Sequence, residues 1–367
     1  MSASLEIQLL AVLVAAACAL PGVFLVLRGT AMMADAISHT VLLGIVLVFF
    51  VVQDLQSPWL IVGAAAIGLV TVTLTELLQH TRLVKQDAAI GLVFPALFSV
   101  AVILISRFAR GVHLDVDAVL LGELAFAPFD RLIVLGIDVP RALVTIAVVL
   151  IANIAFISLF YKELKLATFD AGLAATLGFA PALLHYGLMA LVSITAVGAF
   201  DIVGVVLVVA LMVTPAAAAY LLTSDLRRML VLSVAIGVLS ALAGYWLARL
   251  LNANIAGAMA TMTGVIFLVV LVLAPQRGLL AKLVRRRRQQ ADFAATMLAI
   301  HLLHHTGAPT EAEEARIDHL ERHLDWQPGY AARVIRHAER LGFIKSIAGH
   351  LQLTPTGYAK AQEVLAS

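Results

Sequence analysis

The residues of this sequence best suited to chemistry are Asp35 and His39, four positions apart in the run ADAISHT. The surrounding stretch, 32–43, is otherwise mostly apolar. On a helix, positions i and i+4 lie on one face, so the carboxylate and the imidazole would face the same space. Manganese, iron and zinc accept both as ligands. The spacing leaves open a second interpretation, an internal ion pair or a hydrogen bond between helices.

The composition predicts that a membrane must position this pair. The chain has 367 residues, of which 62% are hydrophobic and 13% charged, and its mean hydropathy is +1.00. A water-soluble domain of this length could not bury so much apolar surface. Only helices and closed barrels satisfy the backbone in lipid, and the alternation of barrel strands is absent. Because a carboxylate at bilayer depth costs about 2.5–3.5 kcal/mol, a functional role for Asp35 is favoured.

We predict eight or nine transmembrane helices, from apolar stretches of about 20 residues each. The ordinary stretches are 5–27, 31–52, 58–79, 88–106, 140–160, 229–250 and 257–275. The stretch 187–222 is too long for one crossing and contains Asp201, Gly204 and Pro215. We expect it to be one long broken helix or two limbs that meet near Asp201, whose carboxylate would cap a helix end or contribute to an ion path.

Basic residues predict the orientation of these helices. Arg28 and the basic segments 81–85, 161–165, 226–229 and 285–288 would be cytoplasmic under the positive-inside rule, which places the N-terminus outside and the C-terminus inside. The loop near residue 115 would then be extracytoplasmic. Its charged residues His113, Asp115, Asp117 and Glu123 would be solvated, or would attract a cation.

The composition changes after the arginine run. We predict a transmembrane domain at 1–280, a basic linker at 281–290 and a small cytoplasmic domain at 291–367. Helical patterns at 291–305, 311–324 and 329–341, a hairpin pattern at 343–354 and a last helix at 355–365 follow in order. The predicted fold is therefore an all-α polytopic membrane protein followed by a winged helix-turn-helix. The histidines His301, His304, His305, His319 and His323 include i, i+4 pairs that could bind a metal or lie exposed.

The stretch LRGTAMMADAISHTVLLGIVL at 27–47 resembles the signature segment of the membrane permeases of ABC transporters for zinc, manganese and iron. Further matches follow in order at 85–106, 112–124, 169–179 and 196–223. The chain departs from the pattern at Ala34, where glycine is common, and at Leu43, where proline often occurs. We expect these changes to affect helix packing more than ligation. The resemblance implies that Asp35 and His39 line the transport pathway and coordinate the ion.

The segment 169–181 follows the basic run YKELK, and its pattern alone allows an ordinary interfacial helix. The resemblance implies that it is the coupling segment that docks into an ATPase subunit, with Phe169, Asp170, Gly172 and Gly178 as its matching residues. The chain contains no G-x-x-x-x-G-K-[ST] run, so we predict that it is no enzyme and that a separate polypeptide hydrolyses ATP. It would need no cofactor of its own.

The resemblance also implies an extracytoplasmic metal-binding protein and a second permease, identical or paralogous, as partners in the membrane lipid. Residues 329–365 are similar to the winged-helix domain of metal-dependent regulators of the diphtheria-toxin-repressor type. That likeness would expose Arg333, Arg336 and Arg340 on the third helix. Because the domain is tethered to a membrane, we favour a regulatory or docking role and consider nucleic acid an improbable partner.

We therefore predict a permease subunit that imports a divalent transition metal, manganese before zinc or iron, across a bacterial plasma membrane. A membrane-tethered, metal-responsive signalling or DNA-binding protein is the alternative, and it requires DNA binding that weakens with salt. An intramembrane enzyme that uses Asp35 and His39 for acid-base chemistry is a further alternative, for which no H-E-x-x-H run gives support.

Overall fold

The computed structural model describes residues 3–54, 57, 59–108, 124–134, 137–307, 311–317, 326–347 and 349–366. The chain forms two compact units, Met1–Pro275 and Gln276–Ser367. The predicted loop residues His113, Asp115, Asp117 and Glu123, and the histidines His319 and His323, lie outside the described residues.

The first unit is mostly helical, and each predicted span corresponds to a helix or helix limb whose bounds lie within a few residues of the prediction. The helices are α1 (Ala3–Leu27), α2 (Met32–Val52), α3 (Trp59–His80), α4 (Gln86–Phe108), α5 (Arg141–Leu159), α6 (Tyr161–Phe169), α7 (Ala171–Thr176), α8 (Pro181–Leu222), α9 (Leu226–Leu251) and α10 (Ile255–Leu273). Within the described part of the chain, nine helical segments are long and apolar enough to cross a membrane. The prediction of a multi-pass helical membrane protein is confirmed.

Helix α8 is broken at Gly204, whose backbone angles are φ 76° and ψ 164°. An L-residue rarely adopts this conformation, whereas glycine does so without a steric penalty. Leu184 from the first limb and Ala219 from the second belong to one hydrophobic cluster around Phe24. A straight helix would separate these two residues by about 50 Å. The chain therefore turns back at Gly204, and the predicted break near Asp201 is confirmed, with each limb long enough for a span.

Helices α2 and α3 pack backbone against backbone through Gly44 and Gly63. A Cβ atom added at Gly44 would collide with the backbone of Gly63 and Ala64. The same two helices are also joined by a side-chain hydrogen bond. The Thr71 hydroxyl of α3 donates to the Thr40 hydroxyl of α2 at 2.8 Å. Small residues permit such close approach in membranes, where dispersion contacts rather than water exclusion drive helix association.

A β-hairpin between α4 and α5 corrects the all-α prediction for this unit. Strands β1 (Arg131–Val134) and β2 (Ile137–Pro140) pair antiparallel, with Arg131 opposite Pro140. The Arg131 guanidinium donates to Asp138 Oδ2 at 2.8 Å and to the buried Glu6 carboxylate at 3.3 Å. The Arg131 side chain therefore links the hairpin to the start of α1.

The second unit contains α11 (Leu279–His305), α12 (Glu311–Glu314), α13 (Pro328–Arg340), β3 (Ile344–Ile347), β4 (His350–Leu353) and α14 (Pro355–Leu365). Residues 281–290, predicted to form a linker, are part of α11. The helix begins at Leu279 rather than near Ala291 because arginine and glutamine are good helix formers and no glycine or proline interrupts the run. Basic composition here marks exposure to solvent, not irregular backbone.

The core of the second unit lies between α11, α13 and the β3–β4 hairpin, and includes Leu298, Val334, Ile344 and Leu351. The helix predicted at 311–324 is not continuous in the structure. Helix α12 ends at Glu314, and Arg316 forms a β-bridge with His350 of β4. The Leu351 N–H donates to the Ala315 carbonyl at 2.8 Å. This backbone bond fixes the end of α12 against the hairpin.

Candidate metal pathway and coupling segment

Asp35 and His39 lie on one face of α2, as their spacing predicts. His39 Nε2 is 3.5 Å from Asp35 Oδ1, and the two side chains are 30% and 35% exposed. Their neighbours Ala36, Ile37 and Ser38 are buried, so the opposite side of α2 packs into the unit. A charge-assisted hydrogen bond would be shorter, about 2.7–2.9 Å. The pair therefore directs a carboxylate and an imidazole to a surface that this chain leaves partly open.

Two phenyl rings of α4 hold the imidazole of His39. The Phe94 ring stacks on it with 5.6 Å between centroids and 26° between planes. Phe98 meets it edge-on at 6.0 Å and 78°. These contacts limit rotation of the imidazole, which keeps its nitrogen beside Asp35. Neither phenylalanine stands out in the sequence, because aromatic residues in an apolar span are usually ordinary packing residues.

A polar network joins four helices at the end of α3. His185 Nε2 of α8 lies 2.6 Å from Glu76 Oε1 of α3. The Tyr186 hydroxyl donates to Glu76 Oε2 at 2.7 Å. Arg28, which follows α1, lies with Nη1 3.1 Å from His185 Nδ1 and donates through Nε to Thr168 Oγ1 of α6 at 3.2 Å. The network thus connects the helix next to the coupling segment with α1, α3 and α8.

The chemistry of Arg28 assigns the proton on His185. A guanidinium has no lone pair, so His185 accepts at Nδ1 and carries its hydrogen on Nε2, the nitrogen that lies 2.6 Å from Glu76 Oε1. Burial lowers the pKa of Arg28 from its ordinary value, yet an arginine stays charged at neutral pH. The sequence signal for this network is Glu76, an acidic residue inside the predicted span 58–79 that was not among the predicted site residues.

The predicted coupling segment is a short capped helix with an apolar surface. Asp170 Oδ1 accepts from the Leu173 N–H at 2.8 Å, which makes Asp170 the N-cap of α7. Gly172 lies in the first turn, and Gly178 follows α7 with φ 85°. The large side chains Phe169, Leu173 and Leu177 are 61%, 47% and 60% exposed. A segment that exposes such residues on a helix between two spans is suited to docking against another protein.

Asp201 lies three residues before Gly204, at the break in α8, and its side chain is outside what the structure describes. In the second unit, Arg333, Arg336 and Arg340 are exposed on α13 and line an open groove together with Arg287 of α11. His337 also lines the groove, and its Nε2 lies 2.6 Å from Asp292 Oδ1, which joins α13 to α11.

The fold and these residues define a polytopic helical permease that carries a carboxylate–imidazole pair in its second span and a short helix with an apolar surface between spans. Residues 4–274 match the ABC 3 transport family, and the chain belongs to that family. The resemblance in the sequence to ABC permeases is confirmed. The family match ends before the second unit begins at Gln276.

Named relatives and one solved structure agree with this assignment. The chain is 48% identical to the zinc transport system membrane protein TroD of Treponema pallidum (strain Nichols), over 98% of both chains. It is 49% identical to the manganese transport system membrane protein MntD of Bacillus subtilis (strain 168), over 77% of this chain and 96% of that protein. The structure of PsaBC from Streptococcus pneumoniae in complex with Fab is 27% identical, with a TM-score of 0.64, and covers 76% of this chain and 94% of that chain.

Proposed function

We propose that this chain is the permease subunit of a transporter that imports a divalent transition-metal ion across a bacterial plasma membrane. The observation that carries the proposal is the partly exposed Asp35–His39 pair on a membrane-spanning helix of an ABC 3 family member. Manganese is our first choice, since a carboxylate ligand suits it, and zinc and iron follow. Relatives are named for manganese, zinc and chelated iron.

A second permease, identical or paralogous, would complete the site. A carboxylate that faces lipid is costly, so the open face of α2 needs a partner. Two Asp35–His39 pairs that face each other across a two-fold axis would supply four ligands. Such a site between subunits would bind the ion without enclosing it, which allows release after each cycle. Asp201 would contribute at the turn in α8 or cap a limb there.

Movement would enter through α7. A separate ATPase subunit would cover Phe169, Leu173 and Leu177, and its closure would displace the segment 169–181. Thr168 is the last residue but one of α6, so its bond to Arg28 would carry the displacement to His185 and Glu76. The basic segments near these residues support a cytoplasmic position for this end of the helices. An extracytoplasmic metal-binding protein would deliver the ion on the opposite side.

For the second unit we propose a cytoplasmic winged helix-turn-helix with a docking or regulatory role. The order of α13, the β3–β4 hairpin and α14 supports it, as do the exposed arginines Arg333, Arg336 and Arg340. The signalling alternative requires DNA binding. Fluorescence anisotropy of the full chain with labelled duplexes at rising salt tests that alternative, and we expect only weak binding without sequence preference.

Metal accumulation, measured by elemental mass spectrometry, tests the transport proposal. Cells that express the whole transporter receive manganese, zinc or iron, with the wild-type permease, Asp35→Asn or His39→Ala. We expect one metal to accumulate and both substitutions to abolish its accumulation. Asp87→Asn is the matched control, because it makes the same chemical change at an exposed position in the first turn of α4. Accumulation that survives both substitutions at unchanged protein levels would move the pathway away from this pair.

A further inference from the structure

The second unit brings together two histidines and one carboxylate away from the membrane pair. His301 and His305 lie one turn apart near the end of α11, with 4.8 Å between ring centroids. Glu314 is the last residue of α12, and its Oε2 is 3.4 Å from His301 Nε2. One ligand atom from each of the three residues lies within 4.8 Å of the other two. The side chains of His301 and Glu314 are only 10% and 12% exposed.

The spacing of these atoms differs from that of the hydrogen-bonded pair in the same unit. His337 Nε2 and Asp292 Oδ1 are 2.6 Å apart, a short hydrogen-bond distance. The distance of 3.4 Å between His301 and Glu314 exceeds a charge-assisted hydrogen bond. Ligand atoms about 2.1 Å from a tetrahedral ion lie about 3.4 Å from each other. His301 and Glu314 therefore stand at the separation of two ligands around one ion, and a ligand atom of His305 lies within 4.8 Å of both.

The backbone fixes these groups before any ion arrives. His301 and His305 lie on α11 beside the buried residues Leu298 and Leu302, and the His301 side chain is only 10% exposed. The bond from Leu351 to the Ala315 carbonyl holds the residue next to Glu314 against β4. A site whose ligands are held on two packed elements loses little conformational entropy when it binds.

We propose that His301, His305 and Glu314 bind a zinc ion, or another divalent ion that accepts tetrahedral coordination, in the second unit. A water would be the fourth ligand. Two imidazoles and one carboxylate with one open position form a set that zinc occupies in proteins. Manganese prefers more oxygen ligands and octahedral geometry, so this site discriminates against it. The site goes beyond the proposed transport function, because the family match ends at residue 274 and the membrane pair takes no part in it.

Cobalt(II) titration of the full-length protein in detergent tests the proposal, because tetrahedral cobalt absorbs visible light strongly. All samples carry Asp35→Asn and His39→Ala, so the proposed pathway contributes no signal and its failure cannot be confused with failure of this site. We expect one equivalent of tetrahedral cobalt, which zinc displaces and the same concentration of manganese does not.

Two variants and one control locate the signal. His301→Ala with His305→Ala should abolish the cobalt absorption. Glu314→Gln keeps the shape of the side chain but removes a ligand, and we expect metal binding to weaken at least tenfold. Loss of a residue that only supports a ligand already weakens metal binding by about 10- to 100-fold. His304→Ala is the matched control, since His304 is exposed on the same turn and is outside the triad. Absence of tetrahedral cobalt in the starting protein, or its persistence in both variants, would overturn the proposal.

Discussion

The imidazole of His39 stacks on the phenyl ring of Phe94, with 26° between their planes. Phe94→Leu keeps the apolar volume but removes the ring, and a stacked pair contributes about 0.5–1.5 kcal/mol. We expect the KM for metal uptake to rise about two- to tenfold while the maximal rate changes little. Uptake kinetics in vesicles measure both constants. Phe156→Leu is the control, because its ring pairs with Phe160 instead. An unchanged KM would mean that the stack does not orient His39.

The N-cap of α7 can be tested by one pair of substitutions. Asp170→Ala removes the acceptor of the Leu173 N–H and should destabilise this short helix by about 1 kcal/mol. Because α7 would dock into the ATPase, we expect lower uptake and weaker recovery of the ATPase with the affinity-purified permease. Asp170→Asn preserves the cap and should retain both. If the alanine and asparagine variants behave alike, the charge rather than the cap is what matters.

Gly204 should not tolerate a side chain. Gly204→Ala places an L-residue at φ 76°, which costs on the order of 1–3 kcal/mol. We expect a lower unfolding temperature in detergent and less protein in the membrane. Gly264→Ala in α10 is the matched control, because a Cβ there meets no atom within 4 Å. Equal stability of the two variants would show that α8 does not need the break at Gly204.

The Arg131–Glu6 pair predicts a rescue. Arg131→Ala leaves the buried Glu6 carboxylate without the guanidinium, and we expect a lower unfolding temperature. Glu6→Gln in the same chain removes the stranded charge and should restore part of the loss. Thermal unfolding of the wild type, both single variants and the double variant gives the coupling between the residues. Strictly additive effects would show that the hairpin is held by other contacts.

Hydropathy predicts the spans of this chain because lipid leaves the backbone few alternatives, and helical spacing predicts that Asp35 and His39 share a face. The partners of these residues are not predictable in the same way. Glu76 and His185 lie far apart in the sequence, and only the packing of α3 against α8 brings them together. The pair His301 and His305 was visible as an i, i+4 spacing, whereas Glu314 joins it through the backbone bond at Ala315. The β1–β2 hairpin escaped prediction because the run RLIVLGIDVP shows neither clear alternation nor a turn dipeptide.

The contact of Gly44 with Gly63 has a mechanical consequence. Two helices whose backbones touch, and which are pinned again at Thr40 and Thr71, cannot slide past each other without losing that fit. We therefore expect the two helices to move as one rigid body. Glu76 of α3 and His39 of α2 lie on the same side of the glycine contact, the side that contains Thr40. A tilt imposed at Glu76 would therefore also displace His39, so the proposed ion-binding groups and the proposed ATPase-side network would move together.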